Sequence, residues 1–380
     1  MKQKLLLSLL SILVTWSFIV AQTTIDATIQ HDNLTREYRL YVPAIYDGSE
    51  PVPLVFNFHG YGSNAAQQIF YGEFRPIADT ANFILVIPQG TNDDDNSAFW
   101  NTFGGPETVD DVGFVSNLID SLSMEYNIDP NRIYSAGMSN GGFMGYKLAC
   151  ELSNRITAIA SVTGSMIFPE LNACAPTRPV PVMQIHGTAD LVVEYDGGDF
   201  FVPIDSLVSY WRHFNNCEAD PMFTALPDID NTDGCTAEHY VYGGGDLGST
   251  VEFYKVLGGG HSWPGTILNL NVTNQDFNAS VEIWRFFSQY ELSQLTTSIN
   301  APQTELLEVS IFPNPSSGFF NLEFTSNEER TLIIANSIGQ EVKREIVNGL
   351  NADLRIDEPG IYFITIDGKE SRVSQKVVVF

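Results

Sequence analysis

Hydrophobic and polar positions follow three rhythms along this chain, and each rhythm predicts a different kind of element. Ala27 to Gln30 and Arg36 to Val42 alternate apolar with polar, the period of a half-buried strand, and predict an opening hairpin. Leu54 to Phe58 and Phe83 to Ile87 are nearly unbroken apolar runs, the type buried on both faces of a parallel sheet. Helical spacing takes over in 65–81, and again from Val109 to Tyr126 with Val112, Val115, Leu118, Ile119 and Leu122 on one face. Further strands are expected around Ile133 to Ala136, Ile156 to Val162, Val180 to Ile185 and Val251 to Leu257, and helices at Gly142 to Leu152 and Ser206 to Phe214. Strands alternating with helices predict an α/β fold built on a doubly wound, mostly parallel sheet, whose ligands sit at the carboxyl ends of the strands.

Beyond residue 305 the helical rhythm is gone. Val309 to Pro313, Phe319 to Phe324, Thr331 to Ala335, Ile361 to Ile366 and Lys376 to Phe380 read as short strands separated by turn residues, hence a small all-β sandwich. Ser293 to Glu305 is polar, with Thr296-Thr297-Ser298 and Pro302, and reads as a linker. At the other end Lys2 and Lys4 precede an apolar stretch from Leu5 to Val20 and a small Ala21, the layout of an export signal. The expected organisation is a signal peptide over 1–21, an α/β domain over 22–292, a linker over 293–305 and a β domain over 306–380.

Composition narrows the choice of partner. A formal net charge of −27 with only 19 lysines and arginines argues against nucleic acid, whose phosphates require a basic surface. Asp93-Asp94-Asp95-Asn96 lacks the spaced ligands of a calcium loop and reads as solvated. The four cysteines, Cys150, Cys174, Cys217 and Cys235, are even in number and lack metal-type spacing. In an exported chain they predict two short-loop disulfides, Cys150 with Cys174 and Cys217 with Cys235. Neither a metal nor an organic cofactor is expected.

Candidate chemistry is concentrated at four strand ends. Gly137, Ser139 and Gly141 spell Gly-x-Ser-x-Gly between a predicted strand and a predicted helix, the nucleophile elbow in which a sharp turn exposes a serine at a helix N-terminus. Asp190 closes His186-Gly-Thr-Ala-Asp190 after another strand, ahead of Glu194, Asp196 and Asp199 deeper in the loop, and His261 lies in a glycine-rich loop after Val251 to Leu257. Ser, Asp, His is the chain order of a triad on this fold, and His261 is preferred over His213 in a helix and His239 in a strand. The oxyanion donors expected are the N–H of Asn140 and one from His59-Gly60-Tyr61-Gly62, with Tyr61 first and Gly60 second; His59 is read as holding that loop. Trp100 and Trp263 are candidates for an aromatic wall against the acyl group, with core packing the competing role, for Trp263 evenly balanced.

With those residues in place, the chain resembles the secreted esterases that include polyhydroxybutyrate depolymerases and feruloyl and acetyl xylan esterases. The shared motifs are His59-Gly60-Tyr61-Gly62, Gly137-Met-Ser-Asn-Gly-Gly142, His186-Gly-Thr-Ala-Asp190 and Gly258-Gly-Gly-His-Ser-Trp-Pro-Gly265, within residues 30–290. The long polar insertion Asp220 to Gly248 departs from the pattern and bears on the acyl pocket. Pro313-Asn-Pro-Ser-Ser-Gly318, Asn336-Ser-Ile-Gly-Gln340, Pro359-Gly-Ile-Tyr-Phe363 and the closing Lys376-Val-Val-Val-Phe380 resemble the sorting domain of type IX secretion. The resemblance implies an extracellular or cell-surface serine esterase on a polymer-linked ester, delivered by outer-membrane secretion machinery. Feruloyl-type esters of plant polysaccharide are preferred over acetyl xylan and polyhydroxybutyrate. A serine peptidase and a non-catalytic surface binding module are the rival readings.

Overall fold

The structure, a computed structural model, describes residues 23–103, 109–268, 272–296, 309–336, 340–368 and 372–380. The expected signal peptide and residues 297–305 of the expected linker lie outside them. The chain divides into two compact units, Met1–Thr297 and Ser298–Phe380.

In the first unit the hairpin β1 (Thr23–His31) and β2 (Leu34–Val42) leads to β3 (Val52–Phe58). The single helix expected over 65–81 is two, α1 (Ala65–Tyr71) and α2 (Arg75–Ala81). Asn57 Nδ2 donates to the Gly72 carbonyl at 2.8 Å and turns the chain there, and Pro76 has no N–H with which to continue the ladder. After β4 (Ile84–Pro88) a small hairpin, β5 (Thr91–Asn92) and β6 (Ala98–Phe99), carries Asp93 to Asn96 at its turn. Next come α3 (Asp111–Glu125), β7 (Ile128–Met138), α4 (Asn140–Glu151), β8 (Ala158–Val162), α5 (Phe168–Ala173), β9 (Val182–Gly187) and α6 (Ile204–Phe214). The unit closes with β10 (Met222–Ala225), β11 (Thr236–Tyr242), β12 (Val251–Leu257) and α7 (Ala279–Phe287).

These strands make one ten-stranded sheet in the order β1-β2-β4-β3-β7-β8-β9-β12-β11-β10. The six from β4 to β12 are parallel and antiparallel hairpins finish both edges. Every residue of β3, β4, β8 and β9 is buried, because helices cover both faces and alternate side chains feed two separate cores. Chain order runs outward from β3 to β4 and then, through β7, in the opposite direction. The topological switch therefore falls between β3 and β7, where Phe58 pairs with Gly137. The insertion forms the edge strands β10 and β11. Its turn docks against the segment beyond His261, with Ile229 N–H donating to Asp276 Oδ1 at 2.7 Å and Gln275 N–H to Asp233 Oδ2 at 2.7 Å. Packing also passes the expected boundary at 292, since Leu295 is buried in the core.

Cys150 and Cys174 form the expected disulfide, with Cα atoms 4.8 Å apart, joining the ends of α4 and α5. The second expected disulfide is absent: Cys217 and Cys235 are free, buried thiols. Cys235 precedes Thr236, which pairs with Leu257, whereas Cys217 lies at the Tyr242 end of β11, its Sγ 3.8 Å from the Ser249 carbonyl. A seven-residue strand spans about 20 Å, while a disulfide needs Cα atoms within about 7 Å. The two thiols also belong to different cores, and burial pushes them up to about 11 and about 12, respectively.

The second unit is all β: β13 (Val309–Phe312), β14 (Phe319–Asn336), β15 (Glu341–Arg355), β16 (Gly360–Asp367) and β17 (Arg372–Val379). The long β14 unites two strands expected separately, and its register slips between Glu323 and Glu328. Its first part pairs with β13, its last part with β16, and β15 runs beside both. Ser316 bridges to Val379, so the five strands bend around one apolar core that includes Phe320, Leu332, Ile334, Ile364 and Val377.

Candidate active site

Local sterics shape the turn after β7. Ser139 has φ 53° and ψ −122°, in the region that side chains rarely adopt, and its N–H is held by the Val162 carbonyl at 2.8 Å. A Cβ on Gly137 would lie 2.3 Å from the Gly141 carbonyl oxygen, and one on Gly141 would lie 2.2 Å from that of Phe58. No side chain fits at either place, which is why the turn can be this tight beside β3. Asn140 opens α4, where a backbone N–H has no intrahelical acceptor.

His261 and Asp190 meet across the ends of β12 and β9: His261 Nδ1 lies 2.7 Å from Asp190 Oδ2. Asp190 Oδ1 accepts from the N–H groups of Val192 at 2.8 Å and Val193 at 3.0 Å. Burial alone would raise the carboxyl, but the bond and charge of His261, with His186 and the Val192 N–H, outweigh it and hold the group below its ordinary value. Asp190 is thus a buried, ionised acceptor that holds the Nδ1 edge of the His261 ring. Of the competing histidines, His239 stacks on Tyr254 and bonds Glu252 Oε2 at 2.8 Å, and His213 donates to the Ser209 carbonyl of its own helix at 2.7 Å.

The strand end after β3 closes the arrangement. A Cβ on Gly60 would come 3.3 Å from Ser139 Cβ, so this loop lies directly against the serine. His59 is fully buried and neutral: Nδ1–H donates to the Gly60 carbonyl at 2.8 Å and Nε2 accepts from the Gly90 N–H at 2.9 Å. Burial brings it down to about 4. Tyr61, half exposed, donates its hydroxyl to Asp93 Oδ2 at 2.6 Å.

Both tryptophans expected at an acyl wall belong to the core instead. Trp100 is wholly buried, edge-on to Phe58, with Nε1–H donating to the His59 carbonyl at 2.9 Å. Trp263 is buried beside Phe74, and its Nε1–H donates to Ser280 Oγ at 3.1 Å. Each indole N–H has an internal acceptor, so each ring is anchored inward. A separate aromatic cluster follows the elbow and the acid closely in the chain, and the sequence reading gave it no role at the site. Phe143, one turn after Ser139, meets Phe103 at 5.2 Å and Phe201 at 5.5 Å between ring centres, and Val193, three residues after Asp190, joins Phe143 and Ile167 in the same cluster.

The side-chain roles of two residues already named, Asn140 and His186, escaped the sequence reading. The side chain of Asn140 accepts from Trp100 N–H at 2.7 Å and donates to Thr102 Oγ1 at 2.9 Å, tying the elbow to the loop after β6. His186 lies behind the acid, its Nε2–H donating to the Val193 carbonyl at 2.8 Å and its Nδ1 accepting from Gln184 Nε2 at 3.0 Å. Complete burial brings His186 down to about 4 and keeps it neutral. Its place four residues before Asp190 in a strand-end motif was the available signal.

Residues 107–231, which include Ser139 and Asp190, match the phospholipase/carboxylesterase family model, and residues 310–380 match the secretion system C-terminal sorting domain. The chain is 28% identical over 267 residues to a bifunctional acetylxylan esterase/xylanase of Neocallimastix patriciarum, covering 70% of this chain and 35% of that protein. It is 29% identical over 231 residues to feruloyl esterase B of Piromyces equi, covering 58% of this chain and 41% of that protein. The chain thus spans well under half the length of these two relatives. An acetyl xylan esterase structure from Aspergillus awamori superposes with a TM-score of 0.51 at 12% identity, over 70% of this chain and 99% of that one. The first unit has an α/β-hydrolase fold, and a separate all-β region follows it.

Proposed function

We propose that this protein is an exported carboxylic-ester hydrolase in which Ser139 is the nucleophile, His261 the base and Asp190 the residue that orients it. The observation that carries the reading is a strained serine at a helix N-terminus, on the switch point of the sheet, in a unit that also holds a buried Asp190 bonded to His261. His261 Nε2 takes the proton as Ser139 Oγ attacks the ester carbonyl. The N–H of Asn140 and that of Tyr61 or Gly60 receive the oxyanion. His261 then protonates the departing alcohol, and a water activated by the same imidazole releases the acid and frees Ser139. Within this scheme the sorting domain delivers the chain to the extracellular or cell-surface side through outer-membrane secretion machinery.

Feruloyl-type esters of plant polysaccharide are the substrates we infer. The flat rings of Phe103, Phe143 and Phe201 beside the elbow suit a planar acyl group, taking the part first assigned to the tryptophans. One observation favours a second reading. Leu191 and Phe200 are 88% and 74% exposed, with Val192 beside Leu191 on the acid loop, and such apolar surface suits adsorption to a solid polyester. Rates on methyl ferulate, acetylated xylan and short hydroxybutyrate esters separate these. Turnover of methyl ferulate is expected to lead; absence of turnover on all three, with no labelling of Ser139 by a fluorophosphonate, would leave a binding module.

A further inference from the structure

Gly60 to Ser63 form a four-residue turn that begins against the nucleophile. The Ser63 N–H closes it on the Gly60 carbonyl at 3.1 Å, and Gly62 has the positive φ, 69°, that a type II turn requires at its third residue. Among the described residues neither the Gly60 nor the Tyr61 N–H has an acceptor, and these are the two candidate oxyanion donors of the loop. The tip has little packing of its own: Tyr61 is 53% exposed, and a Cβ on Gly62 would meet nothing within 4 Å. Donors on such a turn stay aimed at one point when bonds from another part of the chain hold it.

Four such bonds come from one segment, the excursion from Gly90 to Trp100 that contains the β5–β6 hairpin. Gly90 N–H donates to His59 Nε2 at 2.9 Å and Trp100 Nε1–H to the His59 carbonyl at 2.9 Å. Gly62 N–H donates to the Ala98 carbonyl at 2.8 Å, which fixes the central peptide of the turn. The fourth bond is at the tip, where the Tyr61 hydroxyl donates to Asp93 Oδ2 at 2.6 Å. Asp93 is itself held, its Oδ1 accepting from the N–H groups of Asp95 at 3.0 Å and Ser97 at 2.9 Å, so Oδ2 is presented in one direction. The same segment reaches the residue of the other candidate donor, since Asn140 Oδ1 accepts from Trp100 N–H at 2.7 Å.

From this we infer that the β5–β6 hairpin braces the oxyanion hole and that Asp93 is its positioning residue, holding the Tyr61 hydroxyl and through it the N–H groups of Gly60 and Tyr61. The inference rests on the esterase reading. Asp93 acts on the rate through the backbone of the turn, and its bond to Tyr61 joins two side chains at the surface, so losing that bond costs the fold little. The sign of the effect separates this role from a plain charge effect. A carboxylate acting by its charge opposes a developing oxyanion, so removing it would speed turnover, whereas removing a brace slows it.

The test compares the full chain with Tyr61→Phe, Asp93→Ala and the double variant. Tyr61→Phe is the cleaner change, since it removes no charge and leaves the bonds from Asp95 and Ser97 to Asp93 in place. Amide hydrogen exchange over 59–63, followed by mass spectrometry, should quicken in all three at an unchanged melting temperature. On the ester that the parent turns over fastest, each variant should lose about tenfold in kcat with KM unchanged, the signature of an interaction made only in the transition state. The double variant should lose no more than either single one, because all three lack the same bond. Unchanged exchange, a Tyr61→Phe variant with the parent's kcat, losses that multiply in the double variant, or a faster Asp93→Ala variant would each overturn the brace and leave the esterase reading standing. A parent that turns over no ester overturns that reading and this role with it.

Discussion

The central strands of the first unit bury both faces, whereas the long strands of the second bury one. In β3 seven consecutive residues are inaccessible, while β14 begins by alternating exposed and buried residues. A sheet covered on both faces has only its strand ends and edges left for chemistry, and Ser139, Asp190, His261 and the His59–Gly62 loop all follow strand ends. A one-sided sheet keeps an open face, which suits recognition and needs no buried polar site. The contrast extends to titration, because all six histidines and all four cysteines of the chain lie before Ser298.

The sharpest test of that division is at the elbow. Ser139→Ala should lower ester turnover by about 10⁴-fold or more, and His261→Ala likewise, with unfolding of both units unchanged by calorimetry. More than a tenth of the activity surviving in either would remove that residue from the site.

Core substitutions should separate the units by stability. Trp100→Ala leaves a large hole in the first unit and should cost about 3 to 5 kcal/mol, lowering turnover of ferulate and acetyl esters in parallel. Ile364→Ala, wholly buried in the second unit, should cost about 2 to 5 kcal/mol there and leave kcat unaltered. A loss on ferulate alone in the Trp100 variant would return that ring to the acyl site.

Removing the disulfide by Cys150→Ser with Cys174→Ser should destabilise only the first unit, by about 3 kcal/mol for a loop with a separation of 24 residues. Thiol titration of the denatured, unreduced chain should find Cys217 and Cys235 and no other. Finding none would mean the two are bonded after all.

The smallest expected effect is with pH. His59 and His186 are held near 4 in the folded state, below the usual histidine value of about 6.5, so the unfolded chain binds more protons between those limits. Stability of the first unit is therefore complete above about pH 6.5 and should fall by about 2 kcal/mol between pH 6 and pH 5. The second unit, without histidine, should not share that window, and equal loss in both would assign the effect to carboxylates.

Much of this was legible without coordinates wherever the constraint was short in range. Apolar runs of five residues announced β3 and β4, and the glycines around Ser139 announced a turn whose sterics involve neighbours two positions away. Gly72 and Pro76 carried the signal that 65–81 would break, although the apolar spacing concealed it. The strand β15 was unreadable for the opposite reason: at the edge of its sheet it buries little beyond Leu354, so no apolar period marks it. The fates of Trp100, Trp263, Cys217 and Cys235 were decided only by the fold. Whether an indole faces solvent or the core depends on which carbonyl or hydroxyl it can reach, and whether two cysteines can bond depends on which ends of a strand they occupy. Those distances are set by pairing between segments far apart in the chain, such as β3 with β7 and β9 with β12, and local composition does not encode them.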